Sequence, residues 1–336
     1  MIWTKRLGTC VVAGLFFLGA ARAARAETTE LRIASFAASG SQGAAALQKT
    51  ADELAAKTSG EVRLKYFAGA SDERAAIRQL ELGQLEGANV TSIGLAAIDQ
   101  SIRVLELPLL FESTQELDYV ADKLWPYFQR KFAHEGFQLG ARGEVGFVYF
   151  LTKSELKTLA DLQAQKLCLA ADDPLIVAWF KKLGVNGVPL APPEVSPALA
   201  SGKLTGCYAT PTVALAMQYS NVKFITSPPM SFGLGAFVLS LKAAKKLSAR
   251  NAQIFESVTR TNQQTLRATL RKGNDDAKNA LRGKGIVPSQ MPAATATALT
   301  QQATELWSEL TGKLYTKAEL KMVLDARAEY RAKHKE

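Results

Sequence analysis

The sequence predicts an α/β protein that is built from two units, each with strands and helices in alternation. Patterns typical of strands and helices follow one another in a βαβαβ order with short connections from residue 31 onward, and a similar order begins again at residue 166. The chain has 336 residues, which is more than one hydrophobic core usually serves. Such an order favours mostly parallel sheets with helices on both faces.

The first unit opens with a strand in which Leu31 and Ile33 alternate along the chain. Helical spacing follows and stops at Gly60, and we expect Ser71 to cap the second helix, whose first turn is acidic. An apolar stretch at residues 103–111 comes later in the unit. In order, the expected elements are a strand from residue 31, a helix at 43–60, a strand at 61–67, a helix at 71–83, a short strand from 87 and a helix at 114–134.

A strand-rich stretch from residue 138 crosses into the second unit. From Ser248 onward the pattern is helical and charged, with a break at residues 282–288 and a terminal helix after Pro292. Two such units, joined by more than one crossing, form a cleft, and ligands of α/β sheets lie beyond the carboxyl ends of the strands. The expected elements of the second unit are strands at 166–171, 187–190, 205–210 and 233–242 and helices at 173–184 and 193–204.

Residues 1–26 have the three-part layout of a secretory signal peptide. Lys5 and Arg6 precede an apolar run, and a cleavage site of the A-x-A type stands at residues 24–26. We therefore expect a periplasmic protein whose mature chain begins at Glu27 and whose formal net charge falls from +10 to +6. The remaining excess is scattered, which argues against nucleic-acid binding, and no other segment is long and apolar enough to span a membrane.

Residue patterns that carry catalysis are missing from the sequence. It contains no nucleotide-binding glycine motif, no G-x-S-x-G motif and no His or Cys cluster with metal-ligand spacing. The two histidines, His134 and His334, lie in charged stretches. Asp172 and Asp173 stand where a strand meets a helix, and N-capping explains them. We therefore expect a protein that is not an enzyme and holds neither a metal ion nor a cofactor.

Four strings in this order and spacing resemble the extracytoplasmic solute receptors of TRAP transporters, the DctP-type binding proteins. They are VRLKYFAGASDERAAIRQLELGQLEGANV, VLELPLLFES, GFVYFLTKSELKTLADLQAQKLCLA and KKLGVNGVPLAPPEVSPALASGKLTGCYATP. The resemblance implies a two-domain α/β periplasmic binding protein with a hinge and a long spanning helix. It also implies that the protein closes on a small-molecule ligand and delivers it to the membrane permease subunits of a TRAP-type transporter.

On this basis we expect a monomer with domain I at residues 27–146 and 234–275 and domain II at residues 147–233 and 276–336. The alternative function is that of a periplasmic carrier for a lipid or aromatic molecule that works without a classical TRAP permease.

The sequence departs from the family's pattern at the ligand. The family usually holds small organic acids with an arginine in the strand after a DL-x-G/Q-x-K turn, and here that position is Cys168. A second arginine commonly follows a Gly-Phe pair, and here that position is Val148. In the family's D-G-x-E-N strand this chain has Thr205, Tyr208 and Ala209 at the two acids and the amide. Because a buried carboxylate without a paired cation costs several kcal/mol, we expect a neutral or hydrophobic ligand.

The resemblance and the strand ends together predict the residues that line the pocket. Short polar groups after the first and third strands are expected to hold an uncharged oxygen, and Glu144 to receive a ligand hydroxyl, with a solvated turn as the alternative. Tyr149 and Tyr208 have core or solvent as alternatives, and Arg142 is the one nearby cation. The predicted ligand-binding residues are Phe36, Ser39, Thr91, Ser92, Glu144, Val148, Tyr149, Cys168, Tyr208, Ala209 and Phe232.

Cys168 and Cys207 lie in two strand-like pentamers, KLCLA and GCYAT, in a chain whose third cysteine is Cys10. If these pentamers are the first and third strands of a doubly wound unit, they are neighbours, with Cα atoms about 5 Å apart and within disulfide reach. Two alternatives stay open, because the register is unknown: a disulfide at the floor of the cleft, or two free and buried thiols.

Overall fold

The computed structural model of the protein describes residues 28–37, 40–68, 72–170, 172–219 and 221–334. The expected signal peptide lies outside the described residues. The strands are β1 Thr29–Ser35, β2 Val62–Ala68, β3 Gly87–Thr91, β4 Phe137–Thr152, β5 Lys166–Leu169, β6 Asn186–Pro189, β7 Gly206–Ala209, β8 Phe224–Ser227, β9 Ser231–Ser240 and β10 Val287–Gln290. The helices are α1 Gln42–Lys57, α2 Glu73–Glu81, α3 Ser92–Ile98, a 3-10 helix Gln100–Glu106, α4 Thr114–His134, α5 Leu159–Gln163, α6 Pro174–Leu183, α7 Pro192–Ser201, α8 Pro211–Ala216, α9 Leu241–Ala244, α10 Ala249–Gly283, α11 Ala293–Glu309 and α12 Lys317–Lys333.

The strands form one extended sheet in the order β2-β1-β3-β9-β4-β7-β5-β6, and β8 pairs with both β4 and β10. We call the half around β1, β2, β3 and β9 lobe I and the half around β5, β6, β7, β8 and β10 lobe II. Within each lobe the strands with helical connections are parallel, as the sequence predicts. The strands β4 and β9 are antiparallel to their neighbours, because they carry the chain from one lobe to the other and back.

Helix ends follow the local chemistry of the chain. The predicted cap Ser71 lies outside the described residues, and Asp72 caps α2 by accepting a hydrogen bond from the Ala75 N–H. Asp173 caps α6, which has a proline in its first turn and ends at Gly184 in the left-handed conformation. No helix of the described residues is long and apolar enough to cross a membrane.

The 35-residue helix α10 packs against α1 of lobe I, against β4 and against α8 of lobe II, so it spans the two lobes. The largest apolar cluster also includes residues of both lobes, among them Leu105 and Phe128 with Phe150 and Trp179. The domain boundaries stay a prediction. The packing of α12 departs from them, because Tyr127 and Lys131 of α4 bind Glu319 of α12 and hold that helix on lobe I.

Candidate ligand-binding cleft

The carboxyl ends of the central parallel strands of the two lobes face each other. Phe36 follows β1 and Ser92 follows β3 in lobe I, while Asp173 and Thr210 follow β5 and β7 in lobe II. We call the space bordered by these strand ends the cleft. Two contacts join its sides. The Arg103 guanidinium binds the carboxylate of Asp173, and Arg74 Nη2 donates to the main-chain oxygen of Asp172 at 2.7 Å. The cleft is therefore closed in this structure.

Arg103 lies between the lobes and is only 3% exposed. It is carried by the 3-10 helix, within a sequence that is otherwise largely apolar. Its Nη2 donates to both carboxylate oxygens of Asp173, at 2.8 and 2.6 Å. Its Nη1 lies 2.6 Å from Glu106 Oε2 and donates to Ser92 Oγ. Arg142 was the one nearby cation expected from the sequence, whereas the structure has Arg103 between the lobes, already bound to two carboxylates.

Burial and neighbouring charge act against each other in this cluster of Arg103, Glu106 and Asp173. Burial raises the pKa of Glu106 although Arg103 opposes it. Burial also disfavours the charged form of Arg103, but the two carboxylates outweigh this effect and raise the pKa of the guanidinium. The cluster holds two carboxyl groups and one guanidinium. It therefore has no unpaired cation to attract an organic acid.

Glu73 brings a further carboxylate to the lobe I side of the cleft. Its Oε2 accepts hydrogen bonds from the Thr91 N–H and hydroxyl, both at 2.9 Å, and from the Gly94 N–H at 2.8 Å. Burial raises the pKa of Glu73 in spite of these bonds. Thr91, predicted to hold a ligand oxygen, thus uses its donors within the protein. Ser92, its predicted companion, accepts from Arg103.

An apolar wall with two hydroxyl groups lies next to the charged cluster. Val148 pairs with Ser231 across β4 and β9, and Tyr208 Oη donates to Ser231 Oγ at 2.5 Å. Phe232 meets Phe147 edge to face, with ring centroids 5.0 Å apart. Burial raises the pKa of Tyr208, and the carboxylates of Asp173 and Glu106 raise it further, whereas the hydrogen bond to Ser231 and the charge of Arg103 lower it. Phe36 packs against the same large apolar cluster as these rings.

Three other predicted residues, Tyr149, Cys168 and Ala209, belong to a second apolar cluster on the opposite face of the sheet. Successive side chains of β4 alternate, since Phe150 pairs with Tyr208 whereas Tyr149 pairs with Ala209. Tyr149 is 7% exposed and lies in a second apolar cluster, with Lys278 Nζ 5.1 Å from its ring centre. Of the two alternatives for Tyr149, the structure has the core position. The predicted pocket is thus divided between two faces.

Cys168 and Cys207 are both free thiols in this structure. The strands β5 and β7 are parallel neighbours, as expected, and both thiols contribute to the second apolar cluster. Burial raises the pKa of each thiol. They are therefore poor nucleophiles, and the disulfide that the sequence left open is absent here.

The carboxylate of Glu144 is bound by an arginine of the protein itself. Its two carboxylate oxygens accept from Arg271 of α10, from Nε at 2.6 Å and from Nη2 at 2.8 Å. The nearby cation Arg142 is also used, because its Nη2 donates to Asp118 and Asp122. Glu144 and Arg142 thus belong to an ion network between β4, α4 and α10. Ser39 lies outside the described residues.

The charged cluster at the cleft was not among the residues predicted from the sequence. Arg103 and Glu106 interrupt a run of apolar residues, and a charge within such a run is expected to be buried and paired. That signal identifies the pair Arg103 and Glu106. It does not identify Asp173 as the partner, which comes from 70 residues further along the chain.

Comparison with known proteins places this architecture in a family. A sequence model of the bacterial extracellular solute-binding proteins, family 7 (DctP), matches residues 33–313. A solute-binding protein of Verminephrobacter eiseniae is 27% identical over 271 residues, which cover 79% of this chain and 80% of that protein.

Two solved structures share the fold. A TRAP periplasmic solute-binding protein of Ochrobactrum anthropi, with its C-terminus bound in the ligand-binding pocket, has a TM-score of 0.83 at 19% identity and covers 92% of this chain and 97% of its own. A TRAP periplasmic solute-binding protein of Roseobacter denitrificans, with bound β-D-glucuronate, has a TM-score of 0.76 at 21% identity. The match covers 88% of this chain and 98% of that protein. The chain therefore belongs to family 7 of the bacterial extracellular solute-binding proteins, the DctP family of TRAP-type solute receptors.

Proposed function

We propose that this protein is a periplasmic receptor that captures a small, uncharged and largely apolar ligand in the cleft and delivers it to the permease subunits of a TRAP-type transporter. Membership of the DctP family supports the receptor role and the permease partner. The chemistry of the cleft supports the choice of ligand.

One observation carries the choice: the guanidinium between the lobes is already bound to two carboxylates. Asp173 binds Arg103 in bidentate fashion and Glu106 binds it from the other side. An incoming carboxylate would have to displace one of these carboxylates from the guanidinium or lie beside them as a third negative charge. An unpaired buried charge costs several kcal/mol, and every 1.4 kcal/mol lowers affinity about tenfold. Acids should therefore bind weakly.

An uncharged ligand meets none of this cost. Phe232 and Tyr208, which both belong to the largest apolar cluster, offer apolar surface, and about 30 Å² of ligand surface buried there contributes roughly 0.8 kcal/mol. The Nε–H of Arg103 is buried and has no hydrogen-bond partner among the described atoms. A ligand carbonyl or hydroxyl oxygen can accept from this donor, whereas a ligand carboxylate would bring a third negative charge beside Asp173 and Glu106.

The test is calorimetric titration of the purified protein with β-D-glucuronate and succinate, together with native mass spectrometry of whatever copurifies. We expect no detectable heat of binding for either acid at about 1 mM, because the site has no unpaired cation. We expect the molecule that copurifies to be neutral. The glucuronate-binding protein of Roseobacter denitrificans serves as the positive control. Micromolar binding of either acid, or an acid extracted from the purified protein, would reject the uncharged ligand.

A further inference from the structure

We propose that Asp173 is a built-in counter-carboxylate that excludes acids from the cleft, since it occupies the Arg103 guanidinium from the opposite lobe. This inference rests on the proposed receptor function and names the residue that sets its selectivity.

The geometry of the pair is that of a bound acid. Both oxygens of Asp173 receive a hydrogen bond from Arg103 Nη2, at 2.8 and 2.6 Å. The two side chains are 4% and 7% exposed, so water hardly competes for them. Arg103 comes from lobe I and Asp173 from the start of α6 in lobe II. A ligand carboxylate bound between the lobes would need the same position that Asp173 holds.

Asp173 is fixed in this position by its own helix. Its Oδ1 also accepts from the N–H groups of Leu175 and Ile176, at 3.0 and 3.2 Å. Pro174 in the first turn sets the backbone for this cap. Turning the carboxylate away from Arg103 would break the cap as well as the ion pair. Binding of an external acid costs translational and rotational entropy, because the acid has to be immobilised. Asp173 is already ordered, so its carboxylate binds Arg103 without this cost.

The neighbouring residue provides a matched control. Asp172 is exposed, and its contact with Arg74 uses the main-chain oxygen and not the carboxylate. Replacing Asp172 with Asn removes the same charge one residue away without touching the guanidinium. Asp173→Asn removes the charge that binds Arg103 but keeps an oxygen that can cap α6.

The experiment is titration of β-D-glucuronate and succinate into the wild-type protein, Asp173→Asn and Asp172→Asn under one set of conditions. We expect Asp173→Asn to bind at least one of the two acids at least tenfold more tightly than both other proteins. Asp173→Ser, which also keeps a capping oxygen, should gain affinity in the same direction. It provides a second test if the Asn variant folds poorly.

Equal acid affinities in all three proteins, or equal gains for Asp172→Asn and Asp173→Asn, would overturn the proposal. The result is independent of the proposed ligand. Tight acid binding by the wild type would reject the uncharged ligand, but the ratio between Asp173→Asn and the wild type would still decide the role of Asp173.

Discussion

Replacing Arg271 with methionine should strongly destabilise the protein, because it removes the main partner of a buried carboxylate. Arg271 Nη1 and Nη2 each donate to Asp118 at 2.8 Å, and Nε and Nη2 donate to Glu144 at 2.6 and 2.8 Å. The side chain of Glu144 is 1% exposed, and without Arg271 the nearest cation is Arg142 Nη1, at 3.6 Å. Methionine keeps most of the aliphatic packing, so the loss is mainly electrostatic.

The expected cost follows from these exposures. Breaking a buried ion pair by removing one partner costs about 3–5 kcal/mol. The side chains of Arg271 and Asp118 are 26% and 31% exposed, so water takes over part of the lost binding and the lower end applies, about 3 kcal/mol. An unfolding entropy of about 2.1 cal/mol/K per residue gives a midpoint shift of roughly 1.5 °C per kcal/mol in a chain of about 300 residues. We therefore expect the midpoint of Arg271→Met to fall by about 4–5 °C.

The measurement is thermal unfolding followed by circular dichroism at neutral pH, with Lys272→Met as the control. Lys272 pairs with Asp276 on the surface, where both side chains are more than 60% exposed, and its loss should cost less than about 0.5 kcal/mol. Adding Glu144→Gln to Arg271→Met should restore part of the stability, because the unpaired charge is gone. A midpoint of Arg271→Met within 2 °C of the control, on the order of the assay's scatter, would refute a structural role for Glu144.

Three further outcomes follow from the described contacts. Burial raises the pKa of Glu319, but hydrogen bonds from a lysine, a threonine and a tyrosine outweigh burial and lower this pKa to about 2. The contribution of Glu319 to stability is therefore complete above the ordinary pKa of a glutamate, and it is lost as the pH falls toward 2. Urea unfolding at pH 6 and pH 3 measures this loss, and Glu319→Gln should flatten it. Intact mass should be unchanged by reduction, and alkylation of Cys207 should require unfolding, whereas half-buried Cys168 should react slowly in the folded protein. Gly146→Ala should lower the stability of the protein by about 1–3 kcal/mol, because Gly146 has a φ of +120° and a Cβ there would lie 2.6 Å from a side chain of α10. Gly136→Ala is the control and should lower the stability less, because Gly136 has a φ of +88° but open space around it.

Local signals were sufficient for most of the helices and strands. The helix predicted at residues 114–134 is α4 with the same bounds, whereas the single terminal helix predicted after Pro292 is two helices, α11 and α12. The two cysteine-bearing strands are parallel neighbours, as the order of a doubly wound unit predicts. These features depend on residues close in the chain or on a topological rule, so a single sequence contains the information.

Features that depend on distant residues could not be obtained in this way. The apolar stretch at residues 103–111 proved to start with a 3-10 helix, and α12 returns to pack on α4 of lobe I. The pocket residues were split because Tyr149 and Val148 are neighbours in the chain but point to opposite faces of β4. A residue-by-residue comparison with a family pattern does not determine which face each side chain takes when bulges shift the register, as they do between Glu144 and Gly146.

Charge in the cleft could not be predicted from single positions for the same reason. The absence of arginine at positions 148 and 168 did not reveal that Arg103 lies between the lobes. An electrostatic field depends on where charges lie in space and not on which strand carries them. This chain has a guanidinium between its lobes, but it comes from lobe I, and the carboxylate that binds it comes from lobe II. In this chain the carboxylate that joins the lobes is that of Asp173. A ligand therefore does not have to supply a carboxylate for that contact. In the selectivity that we propose, the absence of arginine at Val148 and Cys168 and the pair Arg103 and Asp173 act in the same direction, and changing Asp173 tests the second of these.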